Sequence, residues 1–99
     1  REKWNYFNSG KEKIEKAIDQ NQDNPELRYL RLLVQLNAPS FLSYDESIET
    51  DLEFYISNIL NSGLNITWIK KFCDNLSNGK RLSDLQQGRL NAFLLDIND

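Results

Sequence analysis

Three polar residues, Arg28, Arg31 and Gln35, stand at i, i+3 and i+7 within NPELRYLRLLVQLNAPSF (residues 24–41), a stretch otherwise apolar in nearly every direction. They are the nearest thing to a chemical site in the chain. Glu46, Glu49 and Glu53 repeat the same i, i+3, i+7 spacing a short loop later. Matched stripes of opposite charge predict ion pairing between two adjacent antiparallel helices, a role for which arginine's planar, two-pronged guanidinium is well shaped. The alternative is that Arg28, Arg31 and Gln35 point outward and take the carboxylates of a binding partner.

Other chemistries are scarce. The chain has no histidine, which removes the usual general base, most zinc sites and the Ser-His and Cys-His nucleophile pairs. Its single cysteine, Cys73, lies among Trp68, Ile69, Phe72 and Leu76, the setting of a buried inert thiol, and permits no internal disulfide. Asp45, Glu46, Glu49 and Asp51 form an acidic run. A di-metal helical bundle needs carboxylates from several helices together with a Glu-x-x-His pattern, which is absent here. A carboxylate-only hard-cation site or a hydrolytic carboxylate pair is the one enzyme-like alternative, against the ordinary reading of a solvated acidic face. The expectation is a non-enzyme with no cofactor and no metal.

With 15 acidic and 12 basic residues the net charge is -3, which argues against a nucleic-acid or anionic-membrane partner. The acidic excess lies in residues 1–65, while Lys70, Lys71, Lys80 and Arg81 make the remainder mildly basic. No apolar run approaches a membrane span or a signal-peptide core. Asn65-Ile-Thr and Asn75-Leu-Ser match the N-glycosylation pattern, but helix capping explains Asn65 better.

These residues require helices to position them. Trp4, Phe7, Gly10, Ile14, Ala17 and Ile18 step by three or four against a charged opposite face, predicting an amphipathic first helix. Asn24-Pro25-Glu26 is a helix start, and Ala38-Pro39 a stop; the helix between them is apolar on too many sides to lie at the surface. Ser43 with Glu46 resembles a capping box opening a third helix with the stripe Ile48, Leu52, Tyr55, Ile56, Ile59 and Leu60, closed by Gly63. A fourth helix follows from Asn65 to about Ser77. Ser83 with Gln86 caps a fifth, whose stripe is Leu90, Phe93, Leu94 and Ile97. Short connections and no period-two alternation predict one all-α domain over residues 1–99, with about five antiparallel helices in a helical repeat or an irregular bundle.

GKEKIEKAIDQNQDNPELRYL (residues 10–30) resembles the second half of a tetratricopeptide repeat running into the next one, with Gly10, Ile14 and Ala17 as the small-large-small series that lets paired helices approach. Gln22 stands where that family usually has proline. The stretch ELRYLR…Q…AP (residues 26–39) is similar to one in small uncharacterised helical proteins of bacteria, a likeness that spans about residues 5 to 75. The first resemblance implies a helical-repeat fold. The second implies an export signal and an extra helix ahead of this point, and neither transfers a catalytic residue.

The expected function is therefore a non-enzymatic helical module for protein–protein interaction, the alternative being a structural fragment of a larger helical protein. Besides Arg28, Arg31 and Gln35, the candidate partner-binding residues are Trp4, Tyr6 and Phe7, an aromatic cluster at a chain start that reads Arg1 in place of methionine. A helix-turn-helix repeat buries each pair against a neighbour. The first helix is accordingly expected to be covered by a preceding helix or by self-association.

Overall fold

Five α-helices, α1 (Glu2–Gln20), α2 (Pro25–Asn37), α3 (Ile48–Asn58), α4 (Ile66–Ser77) and α5 (Asp84–Asn98), make up the chain in a computed structural model. It describes residues 2–79 and 81–98, with side chains from residue 5 onward. Single 3-10 turns at Ser40–Leu42 and Ile59–Asn61 complete the regular structure, and no strand occurs among the described residues. The chain is all-α.

Three helix starts follow from capping chemistry. The Asn24 side-chain oxygen accepts the amides of Glu26 at 2.9 Å and Leu27 at 3.3 Å, with Pro25 at the first helical position. Asn65 accepts the Thr67 amide at 2.8 Å. Ser83 and Gln86 bond each other's backbone amides reciprocally at 2.9 and 3.1 Å, a complete capping box. The expected box at Ser43 and Glu46 does not form. Ser43 instead closes the first 3-10 turn in the left-handed region (φ 52), and α3 starts at Ile48 after Ser47. The reason is tertiary: the Ser47 amide donates to the side-chain carbonyl of Gln35 on α2 at 2.9 Å, so the neighbouring helix satisfies a group that a local cap would otherwise take.

Helix α2 is central, packing against α1, α3 and α4. Arg28 and Gln35 of α2 meet Asp51 and Ser47 of α3 in reverse order, so these two helices are antiparallel. Tyr29 accepts a hydrogen bond from Asn75 of α4, and Leu36 sits beneath Gly79, so α4 runs parallel to α2. Gln86 and Arg89 of α5 reach Glu49 and Glu53 of α3 in the same order, so α5 runs parallel to α3. From α2 to α5, successive helices thus alternate in direction while second neighbours lie parallel. Between them Leu32, Leu52, Tyr55, Ile59, Ile69, Leu76 and Leu90 are fully buried. Tyr29 stacks on Phe72 at 4.1 Å between ring centres and lies 5.7 Å from Tyr55. Among the described residues no helix is long and apolar enough to cross a membrane.

Within the described residues the close helix approach at a glycine is at Gly79. A Cβ on Gly10 would meet nothing within 4 Å, whereas one on Gly79, in the turn after α4, would lie 2.9 Å from the Leu36 Cβ. Gly79→Ala should therefore cost about 1–3 kcal/mol through overpacking against α2. Gly10→Ala should stabilise by roughly 0.5–1 kcal/mol, because it removes backbone entropy from the unfolded chain without a clash. Denaturant unfolding of the two variants checks the pair, and equal shifts of the same sign would contradict it.

Candidate functional site

Arg28, Arg31 and Gln35 do share one face of α2, and that face is turned inward onto Asp51 of α3. Arg31 grips the carboxylate with both prongs, Nε to Oδ2 at 2.8 Å and Nη2 to Oδ1 at 2.7 Å. Gln35 adds a third donor to Oδ2 at 2.9 Å, and Arg28 approaches Oδ1 at 3.5 Å. The remaining Arg31 prong reaches Glu15 of α1 at 2.7 Å, and Glu15's other oxygen accepts the Tyr44 hydroxyl at 2.6 Å. Two cations and two anions meet in one cluster, so it is neutral as a whole. It ties α1, α2, α3 and the loop before α3 to one another.

The acidic partner is Asp51, not the Glu46, Glu49 and Glu53 stripe that spacing alone predicts. Glu46 is exposed, Glu49 accepts from Gln86 at 2.7 Å and Glu53 pairs with Arg89 at 3.2 Å. Asp51 takes the arginines because it lies on the apolar stripe of α3, between Ile48 and Leu52 and one turn before Tyr55, and is wholly buried. A polar residue within an apolar stripe was the usable signal; matched periodicity was not. Arg31 and Gln35 are likewise buried with their donors committed, so the outward orientation considered for them is not the one observed. Arg28 is partly buried, with its guanidinium 4.5 Å from the centre of the Phe54 ring and its Nε without a hydrogen-bond partner.

Electrostatics reinforce this arrangement. Hydrogen bonding to Asp51 outweighs desolvation and holds the Arg31 guanidinium charged, its pKa raised above the ordinary value. Burial, then the bond to Glu15, raises the Tyr44 hydroxyl well above a free phenol. Both Asp51 oxygens and both Glu15 oxygens already accept hydrogen bonds. The cluster is built to hold helices in place, with no carboxylate left to abstract or deliver a proton. Cys73 is buried, and that burial pushes its thiol up to about 11, partly offset by the hydrogen bond it shares with Tyr55. A neutral thiol is a weak nucleophile. Among the described residues no group of three or more Cys, Asp or Glu side chains is arranged to hold a metal ion.

The aromatic cluster divides. Phe7 is half-buried, edge-on to Tyr44 at 5.8 Å between ring centres, while Tyr6 is 76% exposed. The Trp4 side chain lies outside the described residues.

A surface not anticipated from sequence runs between α3 and α5. It consists of two depressions of about 440 and 470 Å³ that share Arg89 as a lining residue. Buried Ile56 and Phe93 form part of the floor, and Glu49, Glu53 and Leu60 edge it from the α3 side. On α5, Leu85 is 83% and Leu95 69% exposed. With Gly88 and Ala92 between them, these leucines form a stripe at i, i+3, i+7 and i+10, turned away from the face that carries Leu90 and Phe93 into the core; of the four, Leu85 and Gly88 line the first depression and Ala92 and Leu95 line neither. Helix α5 is therefore apolar on two sides and covered on one.

Asp51→Ala and Arg31→Ala should each cost about 3–5 kcal/mol, since either leaves a buried charge unpaired. The double variant should fall short of the sum by about 0.5–3 kcal/mol, and Glu49→Ala should stay within about 0.5 kcal/mol. Urea unfolding of the four proteins reads this directly, and additivity would show that the two side chains act independently. For Cys73 the folded-state pKa is raised, from 9.0 to about 11, so the stability tied to its neutral form is complete below pH 9 and lost as pH rises through 11. Cys73→Ala should flatten the decline in stability over that window, and the native thiol should resist iodoacetamide at pH 8 until denaturant is added. Comparison with family models, with curated proteins and with solved structures found no match to this chain, so what it does must be read from this geometry.

Proposed function

We propose that the chain is a non-enzymatic helical module that binds another protein, with the groove between α3 and α5 as its docking surface. The observation that carries this is α5 itself. Its Leu85, 83% exposed, lines the groove beside Gly88, and Phe93 floors it further along, an apolar side of α5 that a neighbouring helix can approach closely. The neutral polar cluster, whose carboxylate oxygens all accept hydrogen bonds within it, supports a scaffolding role for the opposite half of the molecule. The parallel pairing of α2 with α4 and of α3 with α5 supports a helical-repeat organisation like that of tetratricopeptide proteins, in which each helix pair stacks on the next. Exposed Tyr6 on α1 offers a second contact.

A photo-crosslinking amino acid at position 85, expressed in cells of the source organism, tests the reading against the same substitution at Lys13 on the outer face of α1. One discrete adduct from position 85 and none from position 13 is expected. Equal or absent labelling at both would remove the case for the α5 surface.

A further inference from the structure

Resting on that docking reading, we infer that the groove between α3 and α5 takes a positively charged amphipathic helix about three turns long.

Its charge says so first. Four carboxylates, Glu49, Glu53, Asp84 and Asp96, line the two depressions against one cation, Arg89. The local balance, one minus four, is -3, as large as the net charge of the entire chain. Arg89 engages only Glu53, at 3.2 Å. Glu49 accepts from Gln86, a neutral donor, and Asp84 and Asp96 have no ion-pair partner among the described residues. An apolar floor with an uncompensated acidic rim is complementary to a ligand with an apolar side flanked by Lys or Arg, and such complementarity selects partners and accelerates their encounter.

The shape then selects a helix. The walls are two parallel helices, and from Glu49 to Leu60 the groove extends about 16 Å at 1.5 Å per residue, the length of three helical turns. An extended peptide would find no sheet edge here to satisfy its backbone, whereas a helix brings its backbone bonds with it and needs only anchors at i, i+3 or i+4, and i+7. Gly88 leaves open space where a Cβ would stand, so the incoming backbone can come close. A second copy docking through the same face would set Glu49, Asp84 and Asp96 near their own counterparts, which like charges disfavour. Nucleic acid is repelled by the same rim.

The test uses the full chain, isotopically labelled, and two synthetic amidated peptides of about four helical turns. Both carry leucine at i, i+4, i+7 and i+11; one has lysine at the flanking positions and the other glutamate. The lysine peptide should shift the backbone amides of residues 85, 89 and 93 and bind at least tenfold more tightly than the glutamate peptide, with the margin shrinking as salt is added. Glu49→Lys combined with Asp84→Lys should reverse the preference, and both sites are exposed enough to leave the fold intact. Leu85→Asp should abolish binding of either peptide with no change in unfolding temperature. Equal binding of both peptides in the groove would overturn the charge inference and leave the docking reading standing. Lysine-peptide shifts centred on the acidic face of α1 would overturn it as well. If neither peptide perturbs the groove while position 85 still yields its cellular adduct, a basic helix is the wrong partner; if both experiments fail, the docking surface falls with it.

Discussion

The pairing of Arg31 with Asp51 is the constraint on which the rest of the molecule depends. A wholly buried carboxylate costs several kcal/mol to desolvate, and that cost is offset only when every lone pair finds a donor in good geometry. Here the donors come from three successive turns of α2, so α2 and α3 can meet in one register only. Sliding either helix by one residue would leave the charge without its partners. Gln35 carries the same constraint one step further, because its carbonyl takes the Ser47 amide and thereby sets where α3 begins. Replacing such a cluster by well-packed leucines could give an equally stable core, so what the cluster adds is directional alignment of α2 with α3.

The cluster also explains how α1 is held. This helix contacts α2 and buries Ile18, but its defined polar attachment is Glu15, which joins Arg31 to Tyr44. Lys11 lies over the same tyrosine ring at 4.9 Å and Phe7 meets its edge. Tyr44, in an irregular segment between two helices, thus becomes fully buried by serving as the surface against which α1 rests.

At the other side of the molecule the forces differ in kind. Helix α5 is held by Leu90 and Phe93 in the core, by the exposed Arg89–Glu53 pair and by side-chain bonds of Gln86 and Gln87. Exposed ion pairs contribute little, roughly 0–1 kcal/mol. Its position is set mainly by apolar contact, which is non-directional, and the groove beside it combines bare leucines with unpaired carboxylates. One half of the chain spends its polar groups on internal alignment. The other half leaves them facing solvent, where a partner can use them.

Helix number, class and most boundaries were decided by the sequence itself, because capping and periodicity are local. Asn24-Pro25, Asn65 and the Ser83–Gln86 box act within four residues of where they stand, and the 3.6-residue spacing of apolar side chains needs no knowledge of neighbours. That Arg28, Arg31 and Gln35 act together on one face of α2 was also legible, since a shared helix face follows from spacing. Their partner was not. Glu49 and Asp51 sit two residues apart on opposite sides of α3, and which of them meets α2 depends on how the helix is rotated in the core. The failed cap at Ser43 and the close approach at Gly79 have the same origin: each is settled by an atom from a distant segment. So is the groove, for Leu85 is only one more apolar residue in a helix rich in them until the packing of α3 and α4 determines which side of α5 is covered.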